Sequence, residues 1–237
     1  EKGGEIIPKI VGVDESVRAV GVDLFSAEPE RFPKNCLVCE TELVRIEGEV
    51  VHYCPNSDSC PPQVSGRIVH FIGRKAMNID GLGAETVVQL VEAGLVVNPG
   101  SLYDLKAEDI LPLERMAVKS VNKLLSGIAD SSQIPFERVL FALGIRFVGE
   151  TIAKKLARAL GSMSALISAE KEALLEIDEI GERIADSIIH FFNIPKNIKL
   201  IESLEKAGLQ FQVVKIAGAT NKLEGAAFRP ANTCKCK

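Results

Sequence analysis

Residues 78–83 read NIDGLG, and residues 84–94, which follow at once, read AETVVQLVEAG. The second stretch has apolar residues three and four positions apart and ends in glycine, which predicts an amphipathic helix with a glycine cap. The first stretch places two glycines around a leucine directly before that helix. We interpret it as a tight loop that Ile79 and Leu82 anchor to the core. Gly83 would let the backbone turn where a Cβ would clash.

The same junction of loop and helix recurs along the chain. Four segments align on it, and their first residues are 34, 32 and 32 positions apart: IDGLGAETV from 79, LERMAVKSV from 113, IRFVGETIA from 145 and IDEIGERIA from 177. Each has an apolar residue, two variable residues, a second apolar residue and then glycine, which Ala117 replaces in the second copy. Such a period predicts an array of repeated structural units. The four units are named hairpins 1 to 4 in chain order.

The helix after each loop would start with outward-pointing N–H groups at the positive end of its dipole. Such a helix start is a site for a phosphate oxygen. Hairpins of this kind would contact the backbone of a nucleic acid and not its bases. The alternative is that the glycines are ordinary turn residues in a helical array that binds nothing. Four copies at near-constant spacing favour the binding interpretation.

Local charge supports an anionic partner, although the whole chain carries a net charge of −4. Between residues 115 and 160, eight cations face three acids (Asp130, Glu137 and Glu150), an excess of five positive charges. Acids dominate from 164 to 212, so hairpin 4 is expected to bind mainly through its amides. Glu150 and Glu182 directly follow hairpin glycines, and we interpret them as stabilisers of the helix start rather than catalytic acids.

The cysteines give a second signal, because four of the six lie in CLVC (36–39) and CPNSDSC (54–60). In a chain without a secretory signal, two such pairs around a short β-like segment favour tetrahedral zinc over disulfides or a redox motif. Four thiolates leave no open position, so the metal would be structural. His52 is a possible substitute ligand, although a packing or surface role is the simpler interpretation.

The remaining sequence predicts a mainly α chain. EIIPKIVGV resembles a strand whose proline confines it to a sheet edge or a bulge. SAEPERFPKN resembles a linker, and LVRI and VVHY resemble short β pieces between the cysteine pairs. Five later segments have helical periodicity, and Gly94, Gly161 and Gly208 are expected to end three of them. The tail with Cys234 and Cys236 has no periodicity and is expected to be disordered. Neither a membrane-length apolar run nor a signal sequence is seen, which suggests a cytoplasmic protein.

Together these motifs resemble the bacterial NAD-dependent DNA ligases. GGEIIPKIVGV is similar to the end of that family's OB-fold barrel, and Cys36, Cys39, Cys54 and Cys60 match its four-cysteine zinc finger. GRIVHFIGRKAMNIDGLG, LYDL, LERM, VLFALGIRFVGETIAKKLA and IGERIADSI are similar to its helix-hairpin-helix domain, which has four hairpins. The resemblance implies four segments: the barrel remnant and linker at 1–30, the finger at 31–65, the helix-hairpin-helix domain at 66–212, and at 213–237 a linker towards a BRCT domain.

The resemblance also implies a function. Enzymes of this family transfer AMP from NAD to a lysine and then to a DNA 5′-phosphate, and they seal the nick by attack of the 3′-hydroxyl. Here the hairpins would hold nicked duplex DNA through its phosphate backbone and the zinc module would link barrel to hairpins. The expected DNA contacts are Gly81, Gly83, Lys119, Gly144, Arg146, Gly149, Lys154, Lys155, Gly181 and Arg183.

Two departures from the family pattern limit these expectations. Ala117 replaces a usual glycine, and Glu179 stands where the first glycine of the fourth loop is common, so hairpins 2 and 4 are expected to bind weakly or only to pack. The K-x-D-G motif of the nucleophilic lysine does not occur in this sequence. We therefore expect a C-terminal piece of a ligase without the adenylation and BRCT domains, which binds DNA but has no catalytic residues. The alternatives are an enzyme in its own right and a zinc-stapled protein-interaction module.

Overall fold

The structure is a computed structural model that describes Gly12, residues 32–48 and residues 50–213. Apart from Gly12, the predicted barrel strand lies outside the described residues, as do most of the linker and the tail with Cys234 and Cys236. The chain divides into two compact units, Glu1–Pro55 and Asn56–Lys237.

The described part of the first unit contains a small antiparallel sheet. Strand β1 (Val44–Arg45) pairs with strand β2 (His52–Tyr53), with Val44 opposite Tyr53 and Arg45 opposite His52. The strands lie within LVRI and VVHY, so the predicted β pieces between the cysteine pairs are confirmed. Strands of two residues bury little apolar surface, and other interactions must therefore hold this part of the chain together.

The second unit is helical in its described part, which confirms the mainly α fold. The predicted helical segments correspond to α2, α4, α6, α9 and α10. Left-handed glycines follow α2, α6 and α10 as expected, with φ of 70° at Gly94, 76° at Gly161 and 87° at Gly208. In chain order the helices are α1 (Pro61–Ile72), α2 (Ala84–Glu92), a 3-10 helix (Pro99–Asp104), α3 (Ala107–Ile110), α4 (Val118–Ser131), α5 (Phe136–Ala142), α6 (Glu150–Leu160), α7 (Met163–Ile167), α8 (Lys171–Leu175), α9 (Glu182–Phe192) and α10 (Pro195–Lys206).

Each repeat forms two packed helices joined by the repeated loop. The pairs are α1 with α2, α3 with α4, α5 with α6 and α8 with α9. The apolar loop residues anchor hairpins 1, 3 and 4 more deeply than hairpin 2. The buried anchors are Ile79, Leu82, Ile145, Val148 and Ile180. The half-buried anchors are Leu113, Met116 and Ile177. Hairpin 2 is therefore the least firmly anchored of the four.

The fourth residue after each hairpin glycine or Ala117 fixes the start of the second helix. Val87, Val121, Ala153 and Ala185 occupy this position, and each is at most 1% exposed. The N–H of each donates to the carbonyl of the residue four before it, at 2.9–3.0 Å. Only valine and alanine occur at this buried position, where a larger side chain would have to displace packed neighbours.

One glycine allows hairpin 1 to contact α4 at backbone distance. A Cβ on Gly127, inside α4, would collide with the backbone carbonyl of Asp80. From the other side, a Cβ on Gly81 would lie 3.1 Å from the Leu124 nitrogen. The two backbones therefore meet without intervening side chains, which fixes the loop of hairpin 1 on α4.

This contact predicts opposite effects for two helical glycines. Gly127→Ala is expected to lower the free energy of unfolding by about 1–3 kcal/mol, because the clash is with rigid backbone. Gly66→Ala in α1 is expected to raise it by about 0.5–1 kcal/mol, because a Cβ there has nothing within 4 Å and alanine favours helix. Urea denaturation measures both. Equal effects of the two substitutions would contradict the close approach.

In the part of the chain that the structure describes, no helix has the length and apolar character needed to span a membrane.

Candidate nucleic-acid interface and metal centre

The four predicted metal ligands converge. The sulfurs of Cys36, Cys39, Cys54 and Cys60 all lie within 4.8 Å of one another, and those of Cys39 and Cys54 are 3.5 Å apart. None of the four forms a disulfide. A tetrahedral zinc with Zn–S bonds of about 2.3 Å has sulfurs about 3.8 Å apart. The cluster therefore fits a Cys₄ zinc ion in both size and ligand type.

Local backbone turns present the first cysteine pair. The Cys36 N–H donates to the Thr41 carbonyl at 2.8 Å, and the Glu40 N–H donates to the Cys36 carbonyl at 2.9 Å. Glu40 makes the turn with a left-handed φ of 58°. Hydrogen bonding with the Thr41 side chain and backbone lowers the pKa of the Cys39 thiol to about 6. At neutral pH this residue is thus largely a thiolate, the form that binds metal.

Cys60 is positioned by the start of α1. It is the buried N-cap residue of that helix, and its N–H donates to the Asn56 carbonyl at 3.1 Å. The Asn56 side chain accepts from the Ser59 N–H at 3.2 Å, which supports the turn before the helix. These bonds hold Cys60 in place at the start of α1.

His52 has a packing role. Its ring stacks on Phe32 with centroids 5.2 Å apart and an interplanar angle of 23°. The metal-binding group found among the described residues consists of the four cysteines without this histidine. A cysteine-only ligand set is accordingly the one that the geometry favours.

The hairpin loops turn at a different residue from the one predicted. The glycines expected to allow the turn, and Ala117, have ordinary extended backbone, with φ of −103° at Gly83, −93° at Ala117, −81° at Gly149 and −93° at Gly181. The residue two positions earlier makes the turn, with φ of 84°, 62°, 65° and 66° at Gly81, Arg115, Phe147 and Glu179. The predicted conformational role of the second glycine is therefore wrong, since any L-residue adopts its backbone angles.

The second glycines instead border open space. A Cβ built on Gly83, Gly149 or Gly181 would have nothing within 4 Å. Each is the N-cap of the following helix and contributes no side-chain cap, so the first-turn amides face outwards. The fold itself does not require glycine there. The lack of a side chain at these three glycines would matter to a molecule outside the protein that approaches the first-turn amides.

Hairpin 1 also borders a pocket of about 480 Å³. Gly83 and Ala84 line it together with Arg74 and Lys123. The Lys123 ammonium lies 2.9 Å from the Asp80 carboxylate, and this hydrogen bond lowers the pKa of Asp80. Asp80 also lines the pocket and pairs with Lys123, so the groups that could attract an anion there are the start of α2 and Arg74.

Two predicted DNA contacts, Lys154 and Lys155, have acidic partners within the protein. Lys154 donates to Glu150, one turn earlier in α6, at 2.7 Å. Lys155 lies 2.7 Å from Asp178 and 3.0 Å from Glu179, both in the loop of hairpin 4, and its side chain is 26% exposed. These hydrogen bonds raise the pKa of Lys155. Lys155 therefore fastens hairpin 3 to hairpin 4.

The two predicted arginines, Arg146 and Arg183, both lie over the ring of Phe147. The guanidinium carbons of Arg146, in the loop of hairpin 3, and Arg183, in the first turn of α9, lie 4.9 and 4.3 Å from the centroid of the Phe147 ring. The Ser187 hydroxyl donates to the Arg146 carbonyl at 2.7 Å. Phe147 and Ser187 were not predicted, because neither residue type marks a hairpin loop in sequence.

The remaining predicted positions are spread over the hairpins. Lys119 is exposed in the first turn of α4. Gly81 has a left-handed φ and packs on α4, and Gly144, with φ of 69°, ends α5. The left-handed backbone at Gly81 and Gly144 thus explains why these two positions lack a side chain. The structure does not bring the ten predicted residues into one cluster but distributes them over several loops.

Known protein families match both the cysteine-containing segment and the helical part of the chain. Residues 35–61 match the NAD-dependent DNA ligase C4 zinc finger domain, and residues 138–201 match the helix-hairpin-helix motif. The second match covers hairpins 3 and 4.

Similar proteins include DNA ligases from several bacteria. The chain is 54% identical to the DNA ligase of Christiangramia forsetii over 230 residues, which is 96% of this chain and 34% of the relative. For Bacteroides fragilis the identity is 51% over 227 residues, with 95% and 33% covered, and for Cytophaga hutchinsonii 47% over 231 residues, with 96% and 34% covered. The chain spans about a third of the length of these relatives. By its zinc finger, its helix-hairpin-helix region and this identity, the chain is similar to one segment of the NAD-dependent DNA ligases.

Proposed function

We propose that this chain is the part of an NAD-dependent DNA ligase that holds duplex DNA while a nick is sealed in replication and repair. The observation that carries the proposal is the open space at Gly83, Gly149 and Gly181. Glycine is not required there by backbone angles or by packing. A requirement for close approach by an outside group explains it, and a phosphate oxygen suits the exposed amides at a helix start.

The contacts would be made by backbone amides with help from nearby cations. Hairpins 1, 3 and 4 present the amides that follow their second glycines. Arg146, Arg183 and Lys119 would supply charge at the loops of hairpins 3, 4 and 2, and Lys154 would do so once its bond to Glu150 exchanges for a phosphate. In hairpin 2, Ala117 adds a methyl group at the point of approach, so this hairpin would contribute least. Contacts of this kind recognise phosphates and carry no base information.

The zinc would have a structural role. A Cys₄ site leaves no position for water or substrate, so it cannot supply Lewis-acid chemistry to the reaction. In the finger the ion would replace a hydrophobic core. One zinc per chain, held by the four converging thiolates, is what the ligand geometry supports.

Nick sealing itself would need residues that this sequence does not contain. The family's adenylated lysine belongs to a K-x-D-G motif, and none occurs among these 237 residues. We propose that the parent enzyme carries AMP from NAD elsewhere in its length and that this chain alone takes up none. Incubation with NAD labelled in its adenylate is expected to leave the chain unlabelled, and a labelled lysine would refute this.

The proposal is tested by measuring affinity for nicked and intact duplexes at several salt concentrations. If cationic side chains neutralise about three to five phosphates, a plot of log K against log salt is expected to have a slope of about −2.7 to −4.5. Affinity should be the same for duplexes of unrelated base sequence. A chain without measurable affinity for duplex DNA at low salt, or with affinity that salt does not change, would instead support a zinc-stapled module that binds proteins.

A further inference from the structure

Phe147 has an unusual combination of backbone and surroundings. Its φ of 65° lies in the left-handed region, where an aromatic side chain is disfavoured. Its side chain is also 40% exposed, so burial of the ring is not the reason for its presence. The equivalent residue in hairpin 1 is Gly81, which has no such penalty. The left-handed turn itself occurs in every hairpin, so the feature that needs an explanation is the aromatic residue that makes it in hairpin 3.

The arrangement at Phe147 joins two hairpins. Arg146 precedes it in the loop of hairpin 3, whereas Arg183 comes from the first turn of α9 in hairpin 4, and both guanidiniums lie over its ring. Ser187, one turn after Arg183 on the same helix, holds the loop through the Arg146 carbonyl. The phenyl ring is thus the common contact of two cations from different hairpins.

The chemistry of this contact suits anion recognition. Two neighbouring guanidiniums repel each other, and the negative face of an aromatic ring offsets part of that repulsion. Stacking engages the flat face of a guanidinium, whereas its N–H donors point outwards in the plane of the group. A stacked arginine can therefore still donate two parallel hydrogen bonds to a phosphate, and it does so from a fixed orientation.

We infer that Phe147 is a positioning residue for DNA binding: its ring orients Arg146 and Arg183 so that hairpins 3 and 4 present one joint contact to the phosphate backbone. The inference rests on the proposed function. It assigns a role to a side chain that does not itself contact the phosphate.

The test compares Phe147→Gly with Glu179→Gly in the 237-residue chain. Both substitutions relieve a left-handed φ at the same position of the repeat, so neither is expected to lower the melting temperature. Phe147→Gly should weaken duplex binding about three- to tenfold, because the guanidiniums lose their orientation. Glu179→Gly should not weaken it, because it removes a negative charge while Asp178 keeps Lys155 bound to the loop of hairpin 4. Phe147→Leu, which keeps apolar volume without a ring face, should weaken binding like Phe147→Gly.

A double-mutant cycle separates positioning from direct contact. In a chain that already carries Arg146→Ala and Arg183→Ala, Phe147→Gly should change affinity less than about twofold, because nothing remains to orient. A loss of the same size in both backgrounds would show that the ring itself touches DNA, and wild-type affinity of folded Phe147→Gly would also overturn the inference. A wild-type chain without salt-dependent duplex binding would refute the proposed function as well, and that result is visible without any variant.

Discussion

Removal of zinc is expected to unfold residues 35–61. The apolar side chains of this segment make no core: Leu37 is 88% exposed, Val38 58% and Val50 75%. The sheet adds only two strands of two residues. Structural zinc sites contribute about 10–16 kcal/mol to the folding of such modules at neutral pH, which is far more than these strands can supply. Loss of dispersed amide signals from the segment after chelation would measure the effect.

We expect the purified protein to contain one zinc ion per chain. Elemental analysis of protein purified without chelator gives this ratio, and absence of zinc would contradict the Cys₄ site. Cys54→Ser should lower zinc affinity strongly, whereas Ser57→Ala, outside the ligand set, should not. Because protons compete with zinc for the four thiolates, zinc affinity should fall as the pH is lowered.

Bulky replacements of the hairpin glycines are expected to weaken duplex binding about tenfold or more, since each would separate a phosphate from charge-assisted donors. Gly149→Val is the clearest case. Its φ of −81° and ψ of 178° are favourable for valine, and its Cβ has nothing within 4 Å. The melting temperature should therefore stay close to that of wild type while affinity falls equally for all base sequences.

Two other substitutions serve as controls. Gly161→Val, at the end of the same helix, has a φ of 76° and should lower stability without changing the affinity of the folded protein. Ala117→Val should affect binding less than Gly149→Val, because hairpin 2 already carries a side chain at this position. If folded Gly149→Val binds nicked duplex like wild type, the third hairpin is scaffold and does not contact phosphates.

Sequence periodicity predicted much of this fold. The spacing of Val87, Val121, Ala153 and Ala185 reflects burial at the same point of each hairpin, and burial is what apolar patterns report. The cysteine ligands could be predicted for a similar reason, since thiolates at this spacing have few other uses outside oxidising compartments.

The conformations within the loops could not be predicted in the same way. A glycine in sequence can mark a left-handed turn, as at Gly81, or a point of close approach on extended backbone, as at Gly83. Residue type alone does not distinguish these uses. Phe147 makes the left-handed turn although nothing in its residue type suggests it.

Contacts between hairpins could not be predicted from the sequence either. Lys155 belongs to a basic stretch, and its partner Asp178 is 23 residues further along the chain. Charge counting along the sequence treats such a lysine as available to an outside anion. The packing of one hairpin on another decides which cations are neutralised within the protein.

The fastening of hairpin 3 to hairpin 4 by Lys155 and Ser187 affects how avidly the chain would hold a duplex. Two binding loops joined rigidly lose translational and rotational freedom once, so the second loop binds at a high effective concentration after the first has bound. Each loop can then have low intrinsic affinity and exchange rapidly while the other retains the DNA. We expect the pair to dissociate much more slowly than either loop would alone, without any single contact being strong.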